Sequence, residues 1–117
     1  MTPNKVIEKV DSKKPNAYSE EDKMGWISDV DSMARKLVLM ESKAEPYRYP
    51  EDGDKELLIP APYESVYEFY VEAMIDFHNR EYQNYNNSVQ MFSTRFEEYR
   101  KAYIRENKPK SVGNFKI

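Results

Sequence analysis

Cysteine is absent from this chain of 117 residues. The sequence therefore excludes a disulfide framework and a thiolate metal site, and it suits an intracellular compartment, where folding does not depend on disulfides. No apolar run approaches the roughly 18 residues that a membrane span needs, and the N-terminal segment lacks the apolar stretch of a signal peptide. We expect no membrane partner. We also expect one domain, because this length suffices for a single core but not for two.

The chain also lacks the sequence motifs of catalysis. It contains no GxxxxGKS/T phosphate loop, no GxGxxG, no GxSxG and no HExxH. His78 is the only histidine, and a lone histidine at a helix end more often complements the helix dipole than binds a metal. Asp52-Gly53-Asp54 resembles a fragment of a calcium loop without the remaining ligands, so we interpret it as a turn. The sequence predicts no enzyme activity and no cofactor.

Charge of one sign is not in large excess either. Eighteen basic and twenty-one acidic residues leave a net charge of −3, which argues against nucleic acid or an anionic membrane as the main partner. The charge is unevenly distributed, because the C-terminal end carries Lys108, Lys110 and Lys116 with no acid. Aromatic residues are what the chain does have: ten Tyr and five Phe. They can build a core, and the polar end of Tyr also tolerates an interface.

Caps and apolar spacing predict two helices in the first part of the chain. Thr2 and Pro3 begin a short helix that ends near Asp11. Ser19, followed by three acids, begins a second helix that ends near residues 41–43. Its apolar residues recur every three or four positions and predict a wide buried face. That face consists of Trp26, Val30, Met33, Leu37 and Met40, flanked by Ile27, Ala34 and Val38.

Two aromatic-rich helices are predicted after a proline-containing loop, in which residues 56–59 can form a short extended piece. The third helix runs from about Pro62 to His78, and residues 79–81 form the turn, although a continuous or kinked helix stays open because the turn has no proline. The fourth helix runs to about Glu106 and Pro109 ends it. Its apolar residues keep a strict alternation of three and four. They are Tyr82, Tyr85, Val89, Phe92, Phe96, Tyr99 and Tyr103.

These elements predict an all-α fold. We expect a small helical bundle of about four helices, with a long proline-containing loop and an extended C-terminal tail. The second helix would supply a third face to the antiparallel pair formed by the third and fourth. Residues 1–109 would form the helical domain and residues 110–117 a flexible tail.

Three features of this bundle each admit two interpretations. Glu64, Glu68 and Glu72 lie at i, i+4 and i+8, and we favour a solvated face over a carboxylate site. The tyrosine stripe could bind single-stranded nucleic acid, but its helical spacing favours core packing, with part of it at an interface. The tail could add as a strand to a partner or be disordered, and the sequence does not decide between these. Its apolar residues are Val112, Phe115 and Ile117.

Residues 56–110 resemble small proteins encoded in the structural gene clusters of tailed bacteriophages and prophages of Gram-positive bacteria. Those proteins show LLxPxPY, then a helix with YxEAxIDY, a turn, YNN, and an aromatic helix that ends near a proline. Family members often have Asn-Gly at the turn, where this chain has Asn79-Arg80, and residues 14–31 are also similar to the family's opening. The matching residues here are Leu57, Leu58, Pro60, Pro62, Tyr63, Tyr70, Glu72, Ala73, Ile75, Asp76, Tyr85, Asn86, Asn87, Phe92, Tyr99, Tyr103 and Pro109.

The family that this pattern resembles is that of head–tail connectors, also called adaptor or head-completion proteins. The resemblance implies a helical, non-enzymatic subunit that forms a ring of about a dozen copies beneath the portal protein. The ring joins the capsid to the tail, contacts a downstream neck or tail-completion protein, and lets DNA pass without sequence-specific binding. The location implied is the neck of the virion, after assembly from the host cytoplasm.

The resemblance also implies roles for two sets of residues. The C-terminal segment of related connectors reaches toward the portal, which implies portal binding by Lys110, Val112, Phe115 and Ile117. The acidic residues Glu64, Glu68 and Glu72 could face a neighbouring subunit or the channel, where an acidic wall would let DNA slide without adhesion. The alternative is a small helical regulatory or DNA-associated protein from the same kind of gene cluster. A basic recognition helix would favour that alternative, and no helix here is basic enough.

Overall fold

The computed structural model describes residues 1–107, which form four helices and no strand. The predicted all-α bundle is confirmed. The helices are α1 (Pro3–Lys13), α2 (Glu20–Leu37), α3 (Ser65–His78) and α4 (Tyr82–Glu106). Within residues 1–107, none of these helices combines the length and the apolar character that crossing a membrane requires.

Both N-caps expected from the sequence are present. The Thr2 hydroxyl accepts a hydrogen bond from the Lys5 amide at 3.3 Å, and the Ser19 hydroxyl accepts one from the Asp22 amide at 3.0 Å. These bonds satisfy amides that have no partner within the helix. α1 ends at Lys13 rather than near Asp11, because it continues until Pro15 prevents a further turn.

α3 lies at the centre of the bundle, with the other three helices packed against it. Its buried residues include Val66, Tyr67, Val71 and Ile75, which join buried aliphatic side chains of α1 and α2 in one core. α3 begins at Ser65 rather than at Pro62, because residues 61–64 form turns, in which the Tyr63 amide donates to the Pro60 carbonyl at 2.9 Å.

Aromatic pairs hold α3 and α4 together as an antiparallel hairpin. Three aromatic residues at intervals of seven, two of them on α3 and one just before it, each contact one of three aromatic residues at intervals of seven on α4. Because seven residues are close to two helical turns, each set lies along one side of the hairpin. The ring-centroid distances are 6.1 Å for Tyr63–Tyr99, 5.1 Å for Tyr70–Phe92 and 5.3 Å for Phe77–Tyr85.

A distinct turn separates the two helices, so the open alternative of a continuous helix is wrong. Arg80 has a φ of 61°. The Glu81 amide donates to the Asp76 carbonyl at 2.8 Å, and the Arg80 amide donates to the Phe77 carbonyl at 3.0 Å. These two bonds define a Schellman ending, in which a residue in the left-handed region closes the helix.

The C-terminal half of α2 differs from the prediction. α2 ends at Leu37 instead of near residues 41–43, and Met40 takes a left-handed conformation with a φ of 59°. Leu37 is 61% exposed and Met40 is 79% exposed, so both are wrongly placed on the predicted buried face. The buried side is rotated and includes Ile27, Asp31 and Ala34. The reason is that Asp31 is buried and accepts hydrogen bonds from other segments of the chain.

α4 lies at one side of the molecule and, among the four helices, runs alongside α3 only. The prediction that α2 supplies a third face is therefore confirmed for α3 and wrong for α4. Tyr99 is the member of the α4 stripe that is buried, while Phe92, Phe96 and Tyr103 pack against the core with part of their surface exposed. The stripe thus forms one edge of the core.

The loop between α2 and α3 is attached to the N-terminal segment. The Leu57 amide donates to the Met1 carbonyl at 2.9 Å, but residues 56–59 form no strand. Asp52-Gly53-Asp54 is a turn, as predicted, and the Gly53 carbonyl accepts from the Asn4 amide at 2.9 Å. A Cβ at position 53 would lie 2.6 Å from the Asn4 side-chain nitrogen, so a larger residue there would require the Asn4 side chain to move.

Candidate functional site

Asp31 is a buried carboxylate that fixes the long loop to α2. It is 1% exposed and accepts hydrogen bonds from the hydroxyls of Tyr47 and Tyr67. It also accepts one from the Leu58 amide at 3.0 Å. The Tyr67 oxygen in turn accepts from the Ile59 amide at 2.8 Å. One carboxylate therefore joins α2, two points of the loop and α3.

The two tyrosines are held in their neutral form. Burial raises the pKa of Tyr67 far above its ordinary value, and the nearby Asp31 carboxylate raises it further. Burial, followed by the hydrogen bond to Asp31, likewise raises the pKa of Tyr47. Because the carboxylate is covered on all sides, no substrate reaches it, and this cluster positions the backbone.

The sequence analysis did not identify Asp31 or the role of Tyr67. A signal was nevertheless present, because Ile27, Asp31, Ala34 and Val38 follow the spacing of four, three and four that marks one helix face. That spacing places the carboxylate among buried neighbours.

Two further ion pairs fix the segment between α1 and α2. Lys23, which is buried, donates to Asp11 at 2.8 Å and to the Asn16 side chain at 3.1 Å. Lys14 donates at 2.9 Å to Asp76, a buried carboxylate of α3. A buried charge needs such a partner, since an unpaired one is strongly destabilising. Asp76 is therefore committed to structure.

The acidic residues singled out on α3 lie in two different environments. Glu68 and Glu72 point toward α1, where Lys13 Nζ lies 2.8 Å and 3.2 Å from their carboxylates. Their side chains are 14% and 16% exposed, so the interpretation as a solvated face is wrong for both. Glu64 precedes α3 and is half-buried. A role for the three at a subunit contact or a channel stays a prediction.

His78 lies in an aromatic cluster at the end of α3. Its ring stacks on Trp26 at 5.5 Å and contacts Phe77 at 5.4 Å. Asp76, two residues before His78, accepts a hydrogen bond from Lys14 and is not a partner of the His78 ring. Within residues 1–107, His, Asp and Glu side chains form no group of three that could hold a metal ion.

The predicted portal-binding residues lie outside the described residues. These are Lys110, Val112, Phe115 and Ile117. Their predicted role stays a prediction.

Two surfaces remain accessible around α4. The first is a groove of about 360 Å³ between its C-terminal end and the loop, lined by Leu39, Leu58 and Tyr103 among others. The second surface consists of the two sides of α4 that lie to the left and right of its contact with α3. Met91 and Ile104 are each 48% exposed there. They are thirteen residues apart, which places them about 140° from each other around the helix.

No family model matches this chain, and neither a curated protein nor a solved structure is similar to it. The residues themselves therefore carry the functional argument.

Proposed function

We propose that this chain is a structural subunit of the head–tail connector of a tailed bacteriophage. In this role it is not an enzyme: it binds the portal protein and copies of itself, and so joins the capsid to the tail. Copies would form a ring of about a dozen around the DNA channel, in contact with a downstream neck protein.

One observation carries the proposal. The residues that give the chain its resemblance to connectors contact one another in space, although they are far apart in sequence. Tyr63 meets Tyr99, and Tyr70 meets Phe92, across the α3–α4 hairpin. The resemblance thus describes one packed unit and not a set of unrelated matches. This packing supports the proposal.

The exposed sides of α4 also suit a ring. A ring requires head-to-tail contacts, in which two different surfaces of each subunit meet. α4 offers apolar residues on two different sides, Met91 on one and Ile104 on the other. Neither is used within the described part of the chain.

The proposal is tested with the portal protein encoded in the same gene cluster. The full-length chain should be retained by immobilised portal, and a chain lacking residues 110–117 should bind more weakly. Circular dichroism should give nearly equal helicity for the two chains, because the four helices end at Glu106. The Thr94→Glu variant, changed at an exposed position of α4, serves as a binding control.

Absence of portal binding by the full-length chain would count against the connector. A loss of helicity in the shortened chain would show instead that the tail belongs to the fold.

A further inference from the structure

The groove at the end of α4 is an apolar surface with a single charged member. It opens between the last two turns of α4 and the loop that follows α2. Its lining includes Leu39, Leu58, Pro60, Tyr99, Tyr103 and Glu106. Three tyrosine rings, two leucine side chains, an alanine and a proline surround a volume of about 360 Å³, which is enough for one large apolar side chain and part of a backbone.

The described chain ends directly beside this groove. Glu106 lines it, and Asn107 is the last residue that the structure describes. Pro109 then disfavours continuation of α4, because proline restricts the residue before it to extended conformations. Five residues separate Asn107 from Val112, a reach of about 17 Å. The last two turns of α4 extend only about 11 Å back from the helix end. The tail is therefore long enough to return to the groove.

The composition of the tail matches the groove. Val112, Phe115 and Ile117 are apolar, as the lining is. Lys110 and Lys116 come with no acid in the tail, whereas the charged residue of the groove is Glu106. A phenyl ring beside tyrosine rings is also a favourable contact, worth about 1 kcal/mol beyond the area it buries.

We propose that residues 110–117 dock in this groove of their own chain, with Phe115 as the main apolar contact. Docking within one chain is favoured over docking on a second copy because a short linker holds the segment at an effective concentration in the millimolar range. The inference stands apart from the connector proposal. Should the same residues also bind a portal, the groove and the portal would compete for them.

Engineered disulfides test the docking on the full chain, which has no cysteine of its own. Ser111→Cys is combined with Leu39→Cys, which lines the groove, and the rate of internal disulfide formation is followed by mass spectrometry. The matched control combines Ser111→Cys with Met40→Cys. Met40 is next to Leu39 in sequence, but its side chain is 79% exposed and does not line the groove. Docking should make the groove pair react about tenfold faster, through its higher effective concentration. Adding Phe115→Asp should remove that advantage.

Equal rates for the two pairs would overturn the proposal, and so would disulfide-linked dimers as the main product, which would place the tail on a second copy. A second measurement guards against damage to the fold by Leu39→Cys. In nuclear magnetic resonance spectra, Phe115→Asp alone should shift the amide signals of Ala102 and Tyr103 and leave those near Met91 unchanged. Unchanged signals at all three positions would also contradict docking.

Discussion

Asp31 links three segments of the chain, so removing this one side chain should lower the stability of the fold substantially. Asp31→Ala leaves the hydroxyls of Tyr47 and Tyr67 and the Leu58 amide without their acceptor. We expect the free energy of unfolding to fall by about 3 kcal/mol, because each buried donor left unpaired costs roughly 1–3 kcal/mol. Urea denaturation measures this change.

The control for this prediction is Asp29→Ala, two residues away on α2 and exposed. It should change stability by less than about 0.5 kcal/mol, as is usual for surface substitutions. Equal losses for the two variants would mean that the network around Asp31 contributes little.

The raised pKa of Tyr67 predicts a loss of stability at alkaline pH. In the unfolded chain, Tyr67 loses its proton near the ordinary pKa of about 10, whereas the folded chain keeps it. The unfolded state then binds fewer protons, so stability is fully present below pH 10 and falls above it. The slope is about 1.4 kcal/mol per pH unit for one such group.

Tyr67→Phe isolates this effect from the titration of other groups. The variant should be less stable than the wild type at pH 8, because it loses its bonds to Asp31 and the Ile59 amide. Its stability should also fall less steeply between pH 10 and 11. Parallel curves for the two proteins would show that Tyr67 does not titrate differently on unfolding.

At the scale of the elements, the turn between α3 and α4 contains a residue in an unfavourable conformation. Arg80 has a φ of 61°, in the left-handed region that glycine adopts without steric cost. Arg80→Gly should therefore raise the free energy of unfolding by about 1 kcal/mol. Asn79 has a φ of −83°, so Asn79→Gly should lower it by a few tenths of a kcal/mol up to about 1 kcal/mol.

Thermal denaturation of the two glycine variants gives opposite shifts if the turn has this geometry. Shifts of the same sign would argue for a different turn. The left-handed φ of Arg80 is a conformation that favours glycine, so arginine at this position departs from what the turn prefers.

The elements themselves could be predicted because their signals are local. Thr2 and Ser19 cap helices through bonds to amides three residues away, and apolar spacing indicates which segments are helical. The contacts that fix the loop could not be predicted in the same way. Asp31 and Glu68 meet partners on other segments. The spacing around Asp31 indicates a buried position, but local sequence does not indicate which distant residues such a carboxylate contacts.

The same limit applies to α4. Its spacing of three and four correctly predicted a helix with an apolar stripe. It did not reveal that α4 would lie against α3 alone, because a stripe shows that a partner exists but not how many helices share it. Within the stripe, four tyrosines and a single valine were the useful sign, since tyrosine tolerates the partly exposed positions that most of the stripe occupies.

At the scale of the whole molecule, the two accessible sides of α4 allow the proposed ring to be tested by complementation. Met91→Glu should block one side and Ile104→Glu the other, because burying an unpaired carboxylate in a subunit contact is unfavourable. Each variant alone should fill portal rings less completely than the wild type at equal concentration, as counted by native mass spectrometry. Thr94→Glu, placed between the two sides, should behave as the wild type.

Mixing the two variants decides whether the contact is head-to-tail. If the two variants alternate around a ring, every second contact joins two intact sides. These are the Ile104 side of the Met91→Glu subunit and the Met91 side of the Ile104→Glu subunit. The mixture should therefore fill portal rings better than either variant alone, with the two subunits in nearly equal numbers. In a symmetric contact, the same surface of each subunit meets itself. Mixing the two variants then creates no contact between two intact surfaces that a variant alone lacks, so the mixture should not fill portal rings better than the better of the two variants. Failure of the mixture to recover would thus exclude these sides of α4 as the two halves of one ring contact.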